Sequence, residues 1–139
     1  MIISEVMAKN PATVNPEASV IEAKRIMADK GVSKLPVVDK SGALVGIVTD
    51  NDIQKAAPSE ATTLDMFELS YLISKLTVEK VMKKDVKFVS EDESVEEAAS
   101  LMADYKISCL PVIKNGLVVG IITETDLFRI LIDMLRKKI

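Results

Sequence analysis

An α/β (α+β) fold assembled from two copies of one unit is what this chain predicts, on three observations. Leu35-Pro36-Val37-Val38 and Gly46-Ile47-Val48-Thr49-Asp50-Asn51-Asp52 return as Leu110-Pro111-Val112-Ile113 and Gly120-Ile121-Ile122-Thr123-Glu124-Thr125-Asp126. Val6-Met7 and Ser19-Val20 return as Val81-Met82 and Ser94-Val95, 75 residues on, and the offset slips to 74 after a one-residue deletion in the second copy. Within each copy, a stretch of helical apolar period stands before two β-branched-rich runs. Two related copies of one supersecondary unit normally bury their apolar faces against each other. Their seam is then the natural place for a ligand.

Each copy opens with its Val-Met pair and a brief extended piece, Thr13-Val14 or Phe88-Val89. Ser19-Val20-Ile21-Glu22 and Ser94-Val95-Glu96-Glu97 follow as Ser-x-x-Glu capping boxes, in which serine and glutamate satisfy the first free amides of a helix. Val20, Ala23, Ile26 and Met27, and then Val95, Ala98, Leu101 and Met102, mark the buried face of that helix. Gly31 suits a left-handed stop to the first helix; Lys106 holds that place in the second and leaves its end open. Leu35 to Val38 and Leu110 to Ile113 read as strands, with Pro36 and Pro111 expected at a strand start or edge because proline lacks a ladder donor. Asp39-Lys40-Ser41-Gly42 and Lys114-Asn115-Gly116 turn the chain, Asn-Gly being a strong hairpin signal. Ala43 to Val48 and Leu117 to Ile122 return as strands, and Thr49 and Thr123 begin a further helix. The order per copy is strand, helix, strand, strand, helix.

The copies span residues 1–55 and 78–139, with a linker over 56–77. Ala57-Pro58-Ser59-Glu60 reads as a loop. Leu64, Phe67, Leu69, Leu72, Ile73 and Leu76 then give a linker helix that is apolar on a broad face. Leu127, Ile130, Leu131, Met134 and Leu135 form a last amphipathic stripe, with Arg129, Arg136 and Lys137 outside it, suited to a core or a subunit interface.

The composition narrows the function. Of 139 residues 48% are hydrophobic but only 4% aromatic, so the core is built from aliphatic side chains. Mixed charge with a net of −3 gives no basic stripe for nucleic acid, and Lys83-Lys84 and Lys137-Lys138 read as solvated charge. One cysteine, Cys109, excludes an internal disulfide and a cysteine-cluster metal site. No histidine stands ready to activate it, and neither P-loop nor dinucleotide glycine patterns occur, so catalysis is not expected. No signal peptide is apparent and no stretch approaches a membrane span, so a soluble cytoplasmic protein is expected.

The polar motif shared by both copies is Gly-h-h-Thr-x-x-Asp, with h aliphatic: Gly46 to Asp52 and Gly120 to Asp126. Thr at a helix N-cap with Asp three residues on is itself a capping arrangement. The alternative is a ligand role, in which a helix N-terminus offers free amides and the carboxylate accepts the two hydroxyls of a ribose.

Repeated in one register, this pattern resembles the tandem CBS domain pair, or Bateman module, over nearly the whole chain. The resemblance implies two βαββα units packed about a pseudo-twofold axis with two clefts between their sheets. It also implies binding of AMP, ADP, ATP or S-adenosylmethionine, a regulatory rather than catalytic role, and dimerisation through helices. Glu68 to Lys75 is similar to the linker of CBS proteins associated with acetoin utilisation. Carried over residue by residue, one cleft joins Thr123 and Asp126 to Ala12, Thr13, Val14, Ser33, Lys34 and Pro36. The other joins Thr49 and Asp52 to Lys87, Phe88, Val89, Ser108, Cys109 and Pro111. Because Lys34 stands where Cys109 stands in the other copy, the cleft with Asp126 and Lys34 is expected to be the better one for an anionic nucleotide. Asp50 and Glu124 oppose a triphosphate, which favours AMP or a cationic adenosyl compound. A ligand-free dimerisation module is the competing expectation.

Overall fold

The computed structural model describes residues 1–56 and 66–137. The expected loop at 57–60 and Leu64 of the linker stripe lie outside the described residues, as does Lys138. The fold is mixed α/β, and the chain divides into two compact units: Ala12–Val86, and Met1–Pro11 with Lys87–Ile139.

In the first of these, Val20–Lys30 (α1), Lys34–Val38 (β2), Leu44–Thr49 (β3) and Asp50–Ala56 (α2) follow the expected order, after a strand Ala8–Lys9 (β1) that belongs to the other unit. Ser19 Oγ accepts from Glu22 N at 3.1 Å and caps α1, and Gly31 ends it in the left-handed region at φ 66°. β2 and β3 pair antiparallel, Val14 bridges β2 in parallel, and Lys83 bridges β3 at Ile47. Met66–Lys75 (α3) and Val78–Val81 (α4) complete the unit. α3 buries no residue fully; Ile73 and the following Leu76 lean on the core, while Phe67 is 87% exposed. The core is Val14, Val20, Ala23, Met27, Leu35, Val37, Val48, Ile53 and Val78.

The second unit repeats this plan with Val89–Ser90 (β4), Val95–Tyr105 (α5), Cys109–Lys114 (β5), Leu117–Thr123 (β6) and Glu124–Lys137 (α6). Its sheet has the order β1-β6-β5-β4, with β4 parallel to β5 and the other pairings antiparallel. Ser94 caps α5 through Glu97 N at 3.1 Å. Lys106, the position left open by the sequence, ends α5 in the left-handed conformation at φ 55°, so lysine takes the backbone geometry that Gly31 takes in the other copy. Asn115 and Gly116 turn with φ 53° and 79°, as an Asn-Gly hairpin requires. The core is Ile3, Val89, Ala98, Met102, Leu110, Val112 and Ile122.

Thr49 and Thr123 are each the last residue of a strand and, as the capping reading expects, the N-cap of the helix that follows, their hydroxyls accepting from Asp52 N and Asp126 N. One detail differs from expectation. Pro111 lies inside the inner strand β5, one residue ahead of its pairing with β4, which begins at Val112; proline is tolerated there because no ladder donor is called for.

The seven residues of the second core all have counterparts in the first, which adds Val20 and Ile53, and each core takes one residue from the opposite copy's leading segment. Ile3 fills the second unit and Val78 the first, both fully buried. The backbone holds them alike: Ile3 N donates to Glu93 O at 2.9 Å, and Val78 N to Ala18 O at 2.8 Å. Glycine permits the close approach that follows. A Cβ on Gly46 would stand 2.6 Å from Met82 Sδ and 2.8 Å from Lys83 O; one on Gly120 would stand 3.0 Å from Ala8 O.

Candidate functional site

The Gly-h-h-Thr-x-x-Asp motif folds the same way in both units. The strand delivers Thr49 or Thr123 at its last residue, and the carboxylate comes from the first turn of the next helix. Thr49 N donates to Asp52 Oδ2 at 3.3 Å, and Asp52 N returns a bond to Thr49 Oγ1 at 3.0 Å. Thr123 N donates to Asp126 Oδ2 at 2.9 Å, Thr123 Oγ1 donates to the same oxygen at 3.2 Å, and Asp126 N donates to Thr123 Oγ1 at 3.4 Å. All four side chains are half-buried. Each carboxylate is therefore oriented by the backbone, and Oδ1 takes no part in these bonds.

Strand pairing places the neighbours. Lys34 faces Thr49 across β2–β3 and Cys109 faces Thr123 across β5–β6. Ser33 O accepts from Asp50 N at 2.8 Å, and Ser108 O accepts from Glu124 N at 3.0 Å. In the first unit these residues open onto a pocket of about 390 Å3 lined by Ser33, Lys34, Thr49, Asp50, Asn51, Gln54 and Lys83.

Of the residues expected to bind ligand, Ala12, Thr13, Val14, Ser33, Lys34, Pro36, Thr49 and Asp52 lie in the first unit. Lys87, Phe88, Val89, Ser108, Cys109, Pro111, Thr123 and Asp126 lie in the second. Val14, Pro36, Val89, Cys109 and Pro111 are buried in their own unit. Ala12, Thr13, Lys34, Lys87 and Ser108 are half-buried, while Ser33 and Phe88 are exposed. Lys87 lies over the Tyr105 ring at 4.5 Å. Val14 N donates to Pro36 O and Val14 O accepts from Val38 N, so the extended piece Thr13-Val14 is tied to the edge of β2.

Two residues at this place escaped the sequence reading. Lys83 Nζ stands 3.9 Å from Asp52 Oδ1, and Lys24 Nζ stands 3.6 Å from Asp50 Oδ1. A signal existed for both, since the register sets Lys83 against Ala8 and Lys24 against Ala99. Lys83 remains largely solvated, its side chain 67% exposed, yet it is paired rather than idle. Among the described residues, no group of three or more Cys, Asp or Glu converges as a metal site, and no helix is long and apolar enough to cross a membrane.

Comparison with known proteins supplies the family. The chain is 34% identical over 130 residues to L-aspartate semialdehyde sulfurtransferase of Methanocaldococcus jannaschii, covering 93% of this chain but only 23% of that protein. Among solved structures, the acetoin utilization protein AcuB structure from Vibrio cholerae matches with a TM-score of 0.81 and 29% identity, over 99% of this chain and 95% of that one. The CBS domain pair of protein MJ0100, in complex with 5'-methylthioadenosine and S-adenosyl-L-methionine, matches with a TM-score of 0.77 and 33% identity, over 94% and 95%. CBSX2 in complex with AMP matches with a TM-score of 0.77 and 30% identity, over 95% and 97%. The CBS domain model matches twice, over residues 3–59 and 78–133, and the chain belongs to the CBS domain family as a tandem pair.

Proposed function

We propose that this chain is a regulatory CBS pair that binds adenosyl ligands, of the AMP/ADP/ATP or S-adenosylmethionine class, and passes occupancy to a partner or to its own oligomer. The observation that carries the reading is the duplicated Thr/Asp turn, which in each unit holds a carboxylate in a fixed pose with one oxygen outside its internal hydrogen bonds. Such a carboxylate suits a ribose diol, whose two hydroxyls both donate. Support comes from the relatives that hold adenosyl compounds: the MJ0100 pair with 5'-methylthioadenosine and S-adenosyl-L-methionine, and CBSX2 with AMP. In this reading one ligand is held by Thr123, Asp126 and the segment around Thr13, with Ser108-Cys109 beside Thr123. A second is held by Thr49, Asp52 and the segment around Phe88, with Ser33-Lys34, which the sequence reading gave to the first ligand, beside Thr49. The reading is one of binding, and the activity of the sulfurtransferase relative, of which this chain spans under a quarter, is not carried over to it.

A thermal-melt series with AMP, ATP and S-adenosylmethionine tests the reading, because a ligand that binds only the folded state stabilises it by about 2.7 kcal/mol at one hundred times its Kd. At least one of the three raises the Tm, and Asp52→Ala or Asp126→Ala removes that rise. Undiminished binding in both variants overturns the assignment.

One observation favours a second reading. Both carboxylates already cap their own turns, so the motif has a structural use without ligand. In that case the protein is an interaction module joined through its exposed helices, and no adenosyl compound shifts its melting.

A further inference from the structure

The two Thr/Asp turns share a backbone but not an electrostatic setting. Around Asp50 and Asp52 the first unit gathers three ammonium groups: Lys24 at 3.6 Å from Asp50, Lys83 at 3.9 Å from Asp52, and Lys34 facing Thr49 on the adjacent strand. The same three positions around Glu124 and Asp126 hold Ala99, Ala8 and Cys109. Arg129 and Lys55 stand at matching positions of α6 and α2, so they do not distinguish the two places. One setting therefore carries three added cations beside two carboxylates, and the other carries two carboxylates with none. The delivery device is common to both. Gly46 lets Met82-Lys83 lie against β3, with Lys83 N and O bonded to Ile47 at 2.8 and 2.9 Å, and Gly120 lets Met7-Ala8 lie against β6.

Resting on the adenosyl reading above, we propose that the Thr49/Asp52 place is the one that takes a phosphorylated adenosine, with Lys83 and Lys34 as its specificity-determining residues. The Thr123/Asp126 place takes an adenosyl compound that carries no phosphate. An ammonium on a flexible four-carbon stem can leave a carboxylate for a phosphate without any backbone change. Lys83 has that freedom, since its long ion pair is the looser of the two that hold the cluster and its head is in solvent. Asp52, released from Lys83, then accepts the ribose hydroxyls. At Asp126 the carboxylates of Glu124 and Asp126, with Ala99, Ala8 and Cys109 where the other place has lysines, repel a phosphate dianion and favour a neutral or sulfonium ligand. This order reverses the one expected from Lys34 and Cys109 alone, because Lys34 lines the pocket of Thr49 and Asp50.

Calorimetric titration of the full chain with AMP, with adenosine and with S-adenosylmethionine tests the proposal, using the wild type, the double variant Lys34→Ala/Lys83→Ala, and Ala8→Lys. The double variant is expected to lose roughly tenfold or more in AMP affinity, the scale of one charge-assisted hydrogen bond, while adenosine changes by less than about twofold. Ala8→Lys is expected to strengthen AMP at the second place. Equal losses for AMP and adenosine, or no loss of AMP, overturn the charge-sorting proposal while leaving adenosyl binding intact. A wild-type chain that binds adenosine but not AMP also overturns it alone. A wild-type chain that binds S-adenosylmethionine but neither AMP nor adenosine likewise overturns the charge-sorting proposal alone, and one that binds none of the three overturns the adenosyl reading itself. Lys34 and Lys83 are at least partly solvated, and unchanged circular dichroism melting of the double variant verifies that its fold is retained.

Discussion

Asp39 shows how a single side chain organises a turn. Its Oδ1 accepts from Ser41 Oγ at 2.6 Å, Ser41 N at 2.9 Å and Ala43 N at 3.1 Å, closing the loop between β2 and β3. These bonds, that of the Ser41 hydroxyl foremost, hold its carboxyl below the ordinary value of 3.8. A carboxyl depressed in the folded state contributes stability above its unfolded pKa and loses it as pH falls through the folded one. Asp39→Asn is therefore expected to lower the Tm at neutral pH, and the gap to wild type should close below about pH 4, as a pH series of melts would register. Gly46 is the second residue with a sharp expectation. A Cβ there meets Lys83 O at 2.8 Å, and a backbone atom cannot swing aside as a side chain can. Gly46→Ala is expected to cost about 1–3 kcal/mol in urea unfolding through overpacking. Both residues stood in turn or motif patterns in the sequence, but the atom each one answers to did not.

At the scale of elements, the helices are defined by their ends. Ser19 and Ser94 were legible as caps because serine with glutamate three residues on is a local code, and both accept the amide that code specifies. Ser94→Ala is expected to cost about 1 kcal/mol by denaturant titration. The far ends were half legible. Gly31 announced its left-handed residue, whereas Lys106 carried no such mark and adopts φ 55° because the chain must still turn from α5 into β5. Open space surrounds the position of a Cβ at Gly31, so Gly31→Ala meets only the dihedral penalty, about 1 kcal/mol. Lys106→Gly is expected to gain up to a similar amount. α6 poses a different question, since it buries no residue and exposes Phe128, Leu131, Met134 and Leu135, each by more than half. That stripe suits the dimerisation through helices that the sequence resemblance implies. Leu131→Asp with Leu135→Asp is expected to shift a dimer to monomer in sedimentation velocity while leaving the helical circular dichroism signal unchanged.

For the whole molecule, the governing feature is that each copy lends its leading segment to the other's core. Ile3 completes the core of Val89, Leu110 and Ile122, and Val78 that of Val14, Leu35 and Val48. Ile3→Ala is expected to cost about 2–5 kcal/mol. Hydrogen exchange should report the loss in amides of 87–137 rather than in those of 20–56, since the vacancy opens in the unit that contains residues 87–137.

The sequence by itself determined the repeat, the strand–helix–strand–strand–helix order, the helix caps, the Asn-Gly hairpin and the Thr/Asp turns. Each of these is written in residues within a few positions of one another, where capping, turn geometry and apolar period operate. Tertiary structure alone decided which core Ile3 and Val78 enter, and that Lys83 and Lys24 stand beside Asp52 and Asp50. An apolar residue in a short segment fits either of two near-identical cores equally well by pattern. A lysine 31 residues from its carboxylate declares no partner until strand pairing brings Lys83 against Ile47.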